Sequence, residues 1–160
     1  MWMMLRVIPI MWRSVRPSRV ADMPAVVNTF WIRKGYEGLT FFGHILTHNQ
    51  SDADKFNAGY NSLKNHEMIH LRQAQSCGDS WMRFYILYIW YWLKDSVHIL
   101  IKPGHLPRHA AYLLNPFEIE AYAMMYDLDY LSRCEGGAQM WRKYARMSLK
   151  ERQKLYNHRL

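Results

Sequence analysis

The sequence of 160 residues predicts a mainly α-helical domain with a small β-hairpin, an α+β fold. Three observations predict it. After residue 60, several stretches combine helix-capping residues with apolar side chains at helical spacing. Two β-prone runs precede these stretches and are separated by a turn-like segment. Half of the residues are hydrophobic, so the chain has enough apolar surface for one modest core and differs from a disordered segment.

Residues 1–28 are expected to form a basic, extended or partly ordered N-terminal arm, because three prolines interrupt any long helix. The β-prone runs Thr29–Ile32 and Leu39–Thr47 follow, and the turn-like Gly35–Gly38 between them predicts a hairpin. A strand at a sheet edge can hold an extended peptide by main-chain hydrogen bonds, whereas an ordinary hairpin only packs on the helices. Both interpretations stay open. The polar segment Asn49–Gly59 predicts a loop.

Helical regions are expected over residues 62–77, 81–101, 116–132 and 138–157. Asn61 or Ser62 can cap the first helix, and Gly78 lies just past its end. Asn115 followed by a proline is a strong start for the third helix. The last region is expected to be interrupted at Ser148, which can form a capping box with the glutamate three residues later.

The second helix contains ten consecutive apolar or aromatic residues between Arg83 and Lys94. This run is about half of the length needed to cross a bilayer, so a transmembrane span is not expected. Its tyrosines and tryptophans are typical of membrane interfaces. Two interpretations follow: a buried central helix, which we favour, and a helix that contacts a membrane surface.

The first helix contains the pattern His66-Glu67-x-x-His70. Residues four apart lie on one face of a helix, so both imidazoles would point into the space where a zinc ion can bind. Glu67 lies about 100° round the helix axis, where its carboxylate can reach a zinc-bound water molecule. Zinc would lower the pKa of that water to about 7, and Glu67 would take its proton. Two unrelated surface or core histidines would give the same pattern.

A catalytic zinc ion needs a third protein ligand, and the third helix offers Glu118 and Glu120. Phe117 and Ala121 belong to the apolar stripe of that helix, and Glu120 lies nearer to the stripe than Glu118 does. Glu118 could instead cap the helix together with Asn115. The choice stays open, so we expect one glutamate to bind the metal and the other to support it.

The segments Asn65–Gln73 and Pro116–Tyr122 resemble the motifs N-H-E-x-I-H-x-x-Q and F-E-x-E-A-Y of small bacterial and phage zincin-type metallopeptidases. The resemblance covers the region 38–131. Gluzincins, the zincins with a glutamate as third ligand, usually carry an acid or its amide four residues after that glutamate. Here Tyr122 follows Glu118 and Met124 follows Glu120 at this distance, so both candidates depart from the family pattern.

The resemblance implies a minimal zincin-like helical domain with an edge strand upstream of the metal core, which covers residues 38–131. We expect this single domain to extend over residues 29–160 and to include the basic helical region 138–157. It implies that His66 and His70 bind Zn²⁺, that Glu67 is the catalytic base and that a downstream glutamate completes the site. The implied function is zinc-dependent hydrolysis of peptide bonds, with a peptide or protein as the substrate.

The formal net charge of +8 belongs to the two ends of the chain. Residues 1–34 carry six Lys and Arg against one acid, residues 140–160 carry seven against one, and the middle is net −3. Alternative functions are therefore a basic protein that binds nucleic acid or a membrane surface, or a catalytically silent zinc module with four protein ligands.

Peripheral membrane contact through helix 81–101 is an expected interaction, whereas nucleic acid is not an expected partner. Two cysteines, Cys77 and Cys134, are too few for a disulfide framework and suit a reducing compartment. No signal peptide or clear transmembrane span is recognisable, so we expect a cytoplasmic protein, with membrane association as an alternative.

Overall fold

The computed structural model describes residues 16–19, 25–27, 38–59, 61–101, 107 and 109–159. Its elements are β1 (Ala25–Val27), β2 (Leu39–Phe41), β3 (His44–Thr47), α1 (Gln50–Asn57), α2 (Ser62–Ser76), α3 (Trp81–Ile101), α4 (Ala110–Leu113), α5 (Pro116–Met124), α6 (Trp141–Ala145) and α7 (Leu149–Arg159). Single 3-10 turns lie at Pro17–Arg19 and Leu131–Arg133. The predicted fold class, mainly α with a small β part, is confirmed. The predicted strand Thr29–Ile32 and most of the expected N-terminal arm lie outside the described residues.

The sheet has the strand order β1-β3-β2, with β1 parallel and β2 antiparallel to the central β3. The hairpin lies inside the run Leu39–Thr47, so the prediction of one continuous strand there is wrong. Phe42 and Gly43 form the turn, with φ angles of 45° and 86°. A turn with positive φ at both central residues follows the natural twist of two paired strands, and glycine adopts that conformation without steric cost.

Helix α1 replaces the loop that the polar segment Asn49–Gly59 predicts. The side chain of Asn49 caps this helix by accepting a hydrogen bond from the backbone N–H of Asp52 at 2.9 Å. Ala53 and Phe56 are buried against the sheet in one apolar cluster. Two apolar side chains at helical spacing are enough to stabilise α1 because the sheet packs over them. The polar composition of the segment gives no sign of this packing.

Helices α2 and α3 agree with the predicted bounds to within one residue, whereas α5 ends at Met124 instead of near residue 132. The side-chain amide of Asn65, on α2, donates to three carbonyls at the end of α5, those of Met124, Met125 and Asp127, at 3.0–3.2 Å. These bonds satisfy carbonyls that a longer helix would pair itself. The early end of α5 is therefore set by a tertiary contact.

The largest apolar cluster lies where α2, α3, α5 and α6 meet. Its buried members are Met68, Leu71, Ala74, Cys77, Trp81, Phe84, Phe117 and Trp141. Phe117 stacks on Trp141 with ring centroids 4.5 Å apart. Burial in the same cluster raises the pKa of the Cys77 thiol to about 11. Both cysteines are free thiols. This cluster holds α2 and α5 side by side, so the histidine motif lies against the helix that carries Glu118 and Glu120.

Helix α3 is not the covered central helix that we favoured from the sequence. Only Trp81, Phe84, Asp95 and Ile99 of its 21 residues are buried. The aromatic side chains on one side pack on α2 and α5, whereas much of the opposite side is exposed within the described part of the molecule. No helix among the described residues is both long enough and apolar enough to cross a bilayer.

Helices α6 and α7 are separated at Ser148, as the sequence predicts. The backbone N–H of Ser148 donates to Glu151 at 2.7 Å, and the backbone N–H of Glu151 donates to the Ser148 hydroxyl at 3.3 Å, so the capping box is confirmed. Arg152 on α7 forms a bidentate ion pair with Asp95 on α3, at 2.7 and 2.8 Å. Both side chains are 1% exposed, so α7 is joined to α3 through a buried charge pair.

Candidate metal centre

Helix α2 places His66 and His70 on one face, one turn apart. Their Nε2 atoms lie 3.2 Å from each other, and the rings meet edge-on with centroids 4.8 Å apart. Both side chains are buried. The two imidazoles therefore face a common small gap instead of pointing to solvent or into separate parts of the core.

Glu118 reaches the same gap from α5. Its Oε2 lies 3.5 Å from Nε2 of His66, and its Oε1 lies 3.4 Å from Nε2 of His70. Among the described residues, these three form the only cluster of His, Cys, Asp or Glu whose atoms lie close enough together to share a metal ion. The folded chain thus joins two residues of the histidine motif to a glutamate far along the sequence.

The separations between these atoms fit a zinc ion. A tetrahedral site with bonds of about 2.0–2.1 Å has neighbouring ligand atoms about 3.3 Å apart. The two Nε2 atoms are separated by 3.2 Å, and each has a different oxygen of Glu118 at 3.4 or 3.5 Å. Oε2 of Glu118 is buried and has no hydrogen-bond partner of good geometry in the described part of the chain. A buried carboxylate oxygen without a donor is costly, and a cation in the gap would satisfy it.

Gln73 determines which nitrogen of His70 carries the proton. Nε2 of Gln73 donates to the carbonyl of Phe117 and to Glu120, both at 2.9 Å. Both amide hydrogens are used, so Oε1 of Gln73, 2.8 Å from Nδ1 of His70, can only accept. The reverse orientation of the amide would place three acceptors against one another. Nδ1 of His70 is therefore protonated, and Nε2 presents its lone pair to the gap, as a metal ligand must.

Glu120 is the second candidate third ligand, and it lies away from the gap. Its fully buried carboxylate accepts hydrogen bonds from Gln73, from the Tyr130 hydroxyl at 2.5 Å and from the backbone N–H groups of Met140 and Trp141 at 2.9 Å. The last two groups belong to the start of α6, where a carboxylate satisfies unpaired N–H groups. Glu120 thus joins α6 to α5 and fixes Gln73.

The two glutamates cannot both reach the gap between His66 and His70, because residues two apart point about 200° from each other round a helix. The apolar-stripe argument from the sequence favoured Glu120, but both glutamates are buried. Burial alone does not decide which side chain reaches the gap. Glu118 has the position of a ligand, and Glu120 has the position of a support that acts through Gln73.

Glu67 borders the same site. It lines a cavity of about 300 Å³ together with His70 and Glu118. The hydroxyl of Thr40, on β2, donates a short hydrogen bond to Oε2 of Glu67. Oε1 lies near Gly38, where an added Cβ would stand 3.7 Å from it and only 2.9 Å from the ring of Phe56. A side chain at position 38 would therefore force the buried ring of Phe56 to shift.

The remaining wall of the cavity is aromatic. It is formed by Phe84, Tyr85, Tyr88 and Tyr112, with Ile89 and Leu39 at its exposed side. The hydroxyl of Tyr88 donates to Oε1 of Glu118 at 2.7 Å and so helps to hold the carboxylate in place. Burial and the nearby charge of Glu118 raise the pKa of Tyr88, so this phenol keeps its proton and remains a donor.

The electrostatics of the gap favour a bound cation. Burial alone would raise the pKa of Glu118, but the charges that His70 and His66 can carry, the close approach of His66 and the hydrogen bond from Tyr88 lower it to about 2. Burial disfavours protonation of His66, but its contact with Glu118 and the charges of Glu118 and Glu67 raise its pKa. The carboxylate of Glu118 is thus ionised at neutral pH. His66 retains a proton at the place where a metal ion would replace it.

Strand β2 is an edge strand of the described sheet, next to the cavity. The hydroxyl of Tyr85 donates to the Thr40 carbonyl at 3.2 Å and accepts from the N–H of Phe42 at 2.9 Å. Part of the main chain at this edge therefore already has a partner within the chain. The expected role of the strand in holding an extended peptide stays a prediction.

Several residues of the centre carry no signal in the sequence. Thr40 and Tyr88 belong neither to the histidine pattern nor to the glutamate motif, and only the fold brings them to Glu67 and Glu118. Gln73 is different, because it lies three residues after His70, a spacing that places both side chains on neighbouring turns of one helix. Gln73 is also the last residue of the motif Asn65–Gln73, so the sequence already singles it out.

Comparison of the chain with protein-family models, with curated proteins and with solved structures finds no match.

Proposed function

We propose that the chain is a zinc-dependent metallopeptidase that hydrolyses peptide bonds. The observation that carries the proposal is the convergence of His66, His70 and Glu118, whose candidate ligand atoms lie within 4.8 Å of one another, with Glu67 beside His70 and Glu118 in one cavity. Two imidazoles and one carboxylate are a donor set of catalytic zinc sites, which keep a further position open. The resemblance of the two sequence motifs to zincin-type metallopeptidases supports the same proposal.

A zinc ion held by these three residues would supply a Lewis acid that polarises a carbonyl group and acidifies water. Glu67 supplies the base. Because Thr40 donates to its Oε2, Oε1 is the oxygen left to take a proton from the attacking water and to pass it to the nitrogen of the leaving amine. Gln73 and Tyr88 hold His70 and Glu118 in place by hydrogen bonds.

The test compares the wild-type protein with Glu67→Gln and Glu118→Gln. We expect Glu67→Gln to retain zinc, measured by elemental analysis, and to lose at least about 100-fold in the hydrolysis of a mixed peptide library followed by mass spectrometry. Glu118→Gln should lose both zinc and activity, because it removes a ligand. Wild-type rates from Glu67→Gln protein would show that the proposed base is wrong.

The main alternative is a zinc module without catalytic activity. A structural site is closed by four protein ligands, whereas the cluster found among the described residues contains three. X-ray absorption of the zinc-loaded protein separates the two functions. Three protein ligands and a light-atom fourth ligand from solvent support the peptidase, and four protein ligands support the structural module.

A further inference from the structure

Helix α3 carries an exposed apolar face on the side away from the core. Six residues make up this α3 apolar face: Met82, Ile86, Ile89, Leu93, Val97 and Leu100, which are 46–65% exposed. At 100° per residue they fall within about 80° of arc, and at 1.5 Å per residue they extend over about 27 Å. Trp90, 60% exposed, lies at the margin of the face. A continuous apolar surface of this length marks an interaction site.

The exposed side of α3 is basic as well as apolar. The only acidic residue of the helix is Asp95, which is buried and paired with Arg152, whereas Arg83 and Lys94 are exposed. By the helical step, both basic residues lie along the same margin of the apolar face as Trp90. The exposed side of α3 therefore presents no negative charge to a partner.

A groove of about 680 Å³ continues this basic surface towards α6. We call it the arginine groove, because Arg83, Arg142 and Arg146 line it, and none of its described lining residues is acidic. Arg142 donates to the Ser76 carbonyl at 2.7 Å and lies over the ring of Trp141 at 5.6 Å, so its guanidinium is held in place. Ile86 belongs both to the groove and to the α3 apolar face.

We propose that the α3 apolar face and the arginine groove dock the protein on the surface of an anionic membrane. Aliphatic side chains would enter the outer acyl region, Trp90 would lie at the headgroup level, and the arginines would bind lipid phosphates. The helix lies along the surface in this arrangement and does not cross the bilayer. The formal net charge of +8 acts in the same direction, since it attracts the chain to anionic lipid.

Charge argues against two other occupants of this face, a second copy of the chain and the N-terminal residues 1–15. In a two-fold dimer the same patch of both copies meets, so the basic groups of one copy would approach those of the other. Residues 1–15 of the chain are largely apolar, but they contain Arg6 and Arg13 and no acid, so they offer no counter-charge to the arginine groove. Anionic lipid is the occupant that matches both the apolar and the basic part of the surface.

Docking would also place the candidate metal centre near the bilayer, because Ile89 belongs both to the α3 apolar face and to the wall of the cavity. This consequence rests on the proposed function: polypeptide segments held at a membrane surface are the substrate class that the placement favours. Vesicle binding itself requires neither zinc nor Glu67. A Glu67→Gln protein should therefore bind vesicles like the wild type, which separates failure of docking from failure of the proposed catalysis.

The experiment measures flotation of the full chain with vesicles of phosphatidylcholine alone or of equal parts phosphatidylcholine and phosphatidylserine. We expect the wild type to bind the anionic vesicles. A triple variant, Ile86→Asp, Trp90→Asp and Leu93→Asp, should bind them about 100-fold more weakly, which corresponds to about five-fold for each side chain. Because all three positions are exposed, the variant should keep its fold, which far-UV circular dichroism and zinc content check. Tyr126→Asp with Leu128→Asp, at exposed apolar positions elsewhere, is the matched control and should bind normally.

A second pair of variants tests the basic part of the surface. Arg83→Gln with Arg146→Gln should weaken binding to the anionic vesicles about 30-fold, because each basic residue near such a surface contributes a factor of about five. Lys55→Gln with Arg133→Gln removes the same charge elsewhere and should have a much smaller effect. The proposal is overturned if the wild type does not float with anionic vesicles, or if the α3 triple variant floats as well as the wild type. It is also overturned if the triple variant only changes the oligomeric state measured by light scattering.

Discussion

At the scale of single residues, the geometry of the candidate metal centre depends on the side-chain amide of Gln73. Gln73 uses both amide hydrogens on Phe117 and Glu120, so its oxygen accepts from His70 and leaves Nε2 of that histidine free to bind a metal. Glu118 and Glu120 are two residues apart, yet one faces the imidazoles and the other faces α6. Position round the helix, and not residue type, separates their roles.

The two glutamates should respond differently to removal of their charge. Glu118→Gln should lose metal binding with little change in the fold, because the site loses a ligand. Glu120→Gln should bind metal but lower the free energy of unfolding by about 1–3 kcal/mol, because a neutral amide replaces a carboxylate that accepts several buried hydrogen bonds. Zinc titration and urea denaturation of both variants measure the two effects. Loss of zinc from Glu120→Gln alone would contradict this assignment.

Gln73→Leu should weaken zinc binding about 10- to 100-fold, the usual effect of removing a group that orients a ligand histidine. The Nδ1 proton of His70 loses its acceptor, so the ring is no longer held in one orientation or tautomer. Competition with a chromophoric chelator measures the affinity. Gln75→Leu is the control, because this residue lies on the same helix but about 140° from His70 round its axis. Equal affinities of the two variants would count against the orienting role.

At the scale of secondary-structure elements, α2 and α5 supply the candidate metal ligands, and their neighbours hold these two helices in register. Glu120 and its bonds to the first N–H groups of α6 join α6 to α5. The Arg152–Asp95 pair joins α7 to α3, and Arg152 also donates to the Leu114 carbonyl just before α5. Polar groups inside the protein thus position the elements on which the centre is built.

The buried ion pair leads to a prediction about stability. Arg152→Met should lower the free energy of unfolding by about 3–5 kcal/mol, because Asp95 is left as an unpaired buried charge. The double variant Arg152→Met with Asp95→Leu should recover most of this loss, since no buried charge remains. Urea denaturation of the two variants and the wild type measures the difference. A double variant less stable than the single one would show that the hydrogen bonds of the pair matter more than its charge.

At the scale of the whole molecule, metal binding should be linked to pH. The pKa of His66 is raised above its ordinary value, so below that pKa the metal-free protein carries a proton that a metal ion must displace. Glu118, with its pKa lowered to about 2, is already ionised near neutral pH and releases none. In the metal-free protein the stabilisation from protonated His66 is complete below about pH 6.5 and is lost as the pH rises through the raised pKa.

Zinc affinity should therefore fall about tenfold for each pH unit below the pKa of His66, with release of about one proton for each bound ion. Calorimetric titration with zinc in buffers of different ionisation enthalpy measures the released proton. His48→Gln, which removes a histidine outside the centre, is the control. Affinity that is constant between about pH 6 and pH 8 would contradict the inferred proton on His66.

The sequence by itself determines most of the helices, two of the three residues that face the gap and the candidate base. His66 and His70 share a face because of the 3.6-residue helical repeat, and the caps at Asn61, Asn115 and Ser148 fix where helices begin. These features depend on contacts within a few residues, which local sequence patterns record.

Only the tertiary structure decides between Glu118 and Glu120, adds Thr40 and Tyr88 to the centre, ends α5 at Met124 and leaves one side of α3 exposed. Each of these features depends on which elements pack together, and a local pattern contains no information about its partner across the fold. The same reason explains why the segment that predicts a loop forms α1: the sheet that covers its two apolar side chains comes from elsewhere in the chain.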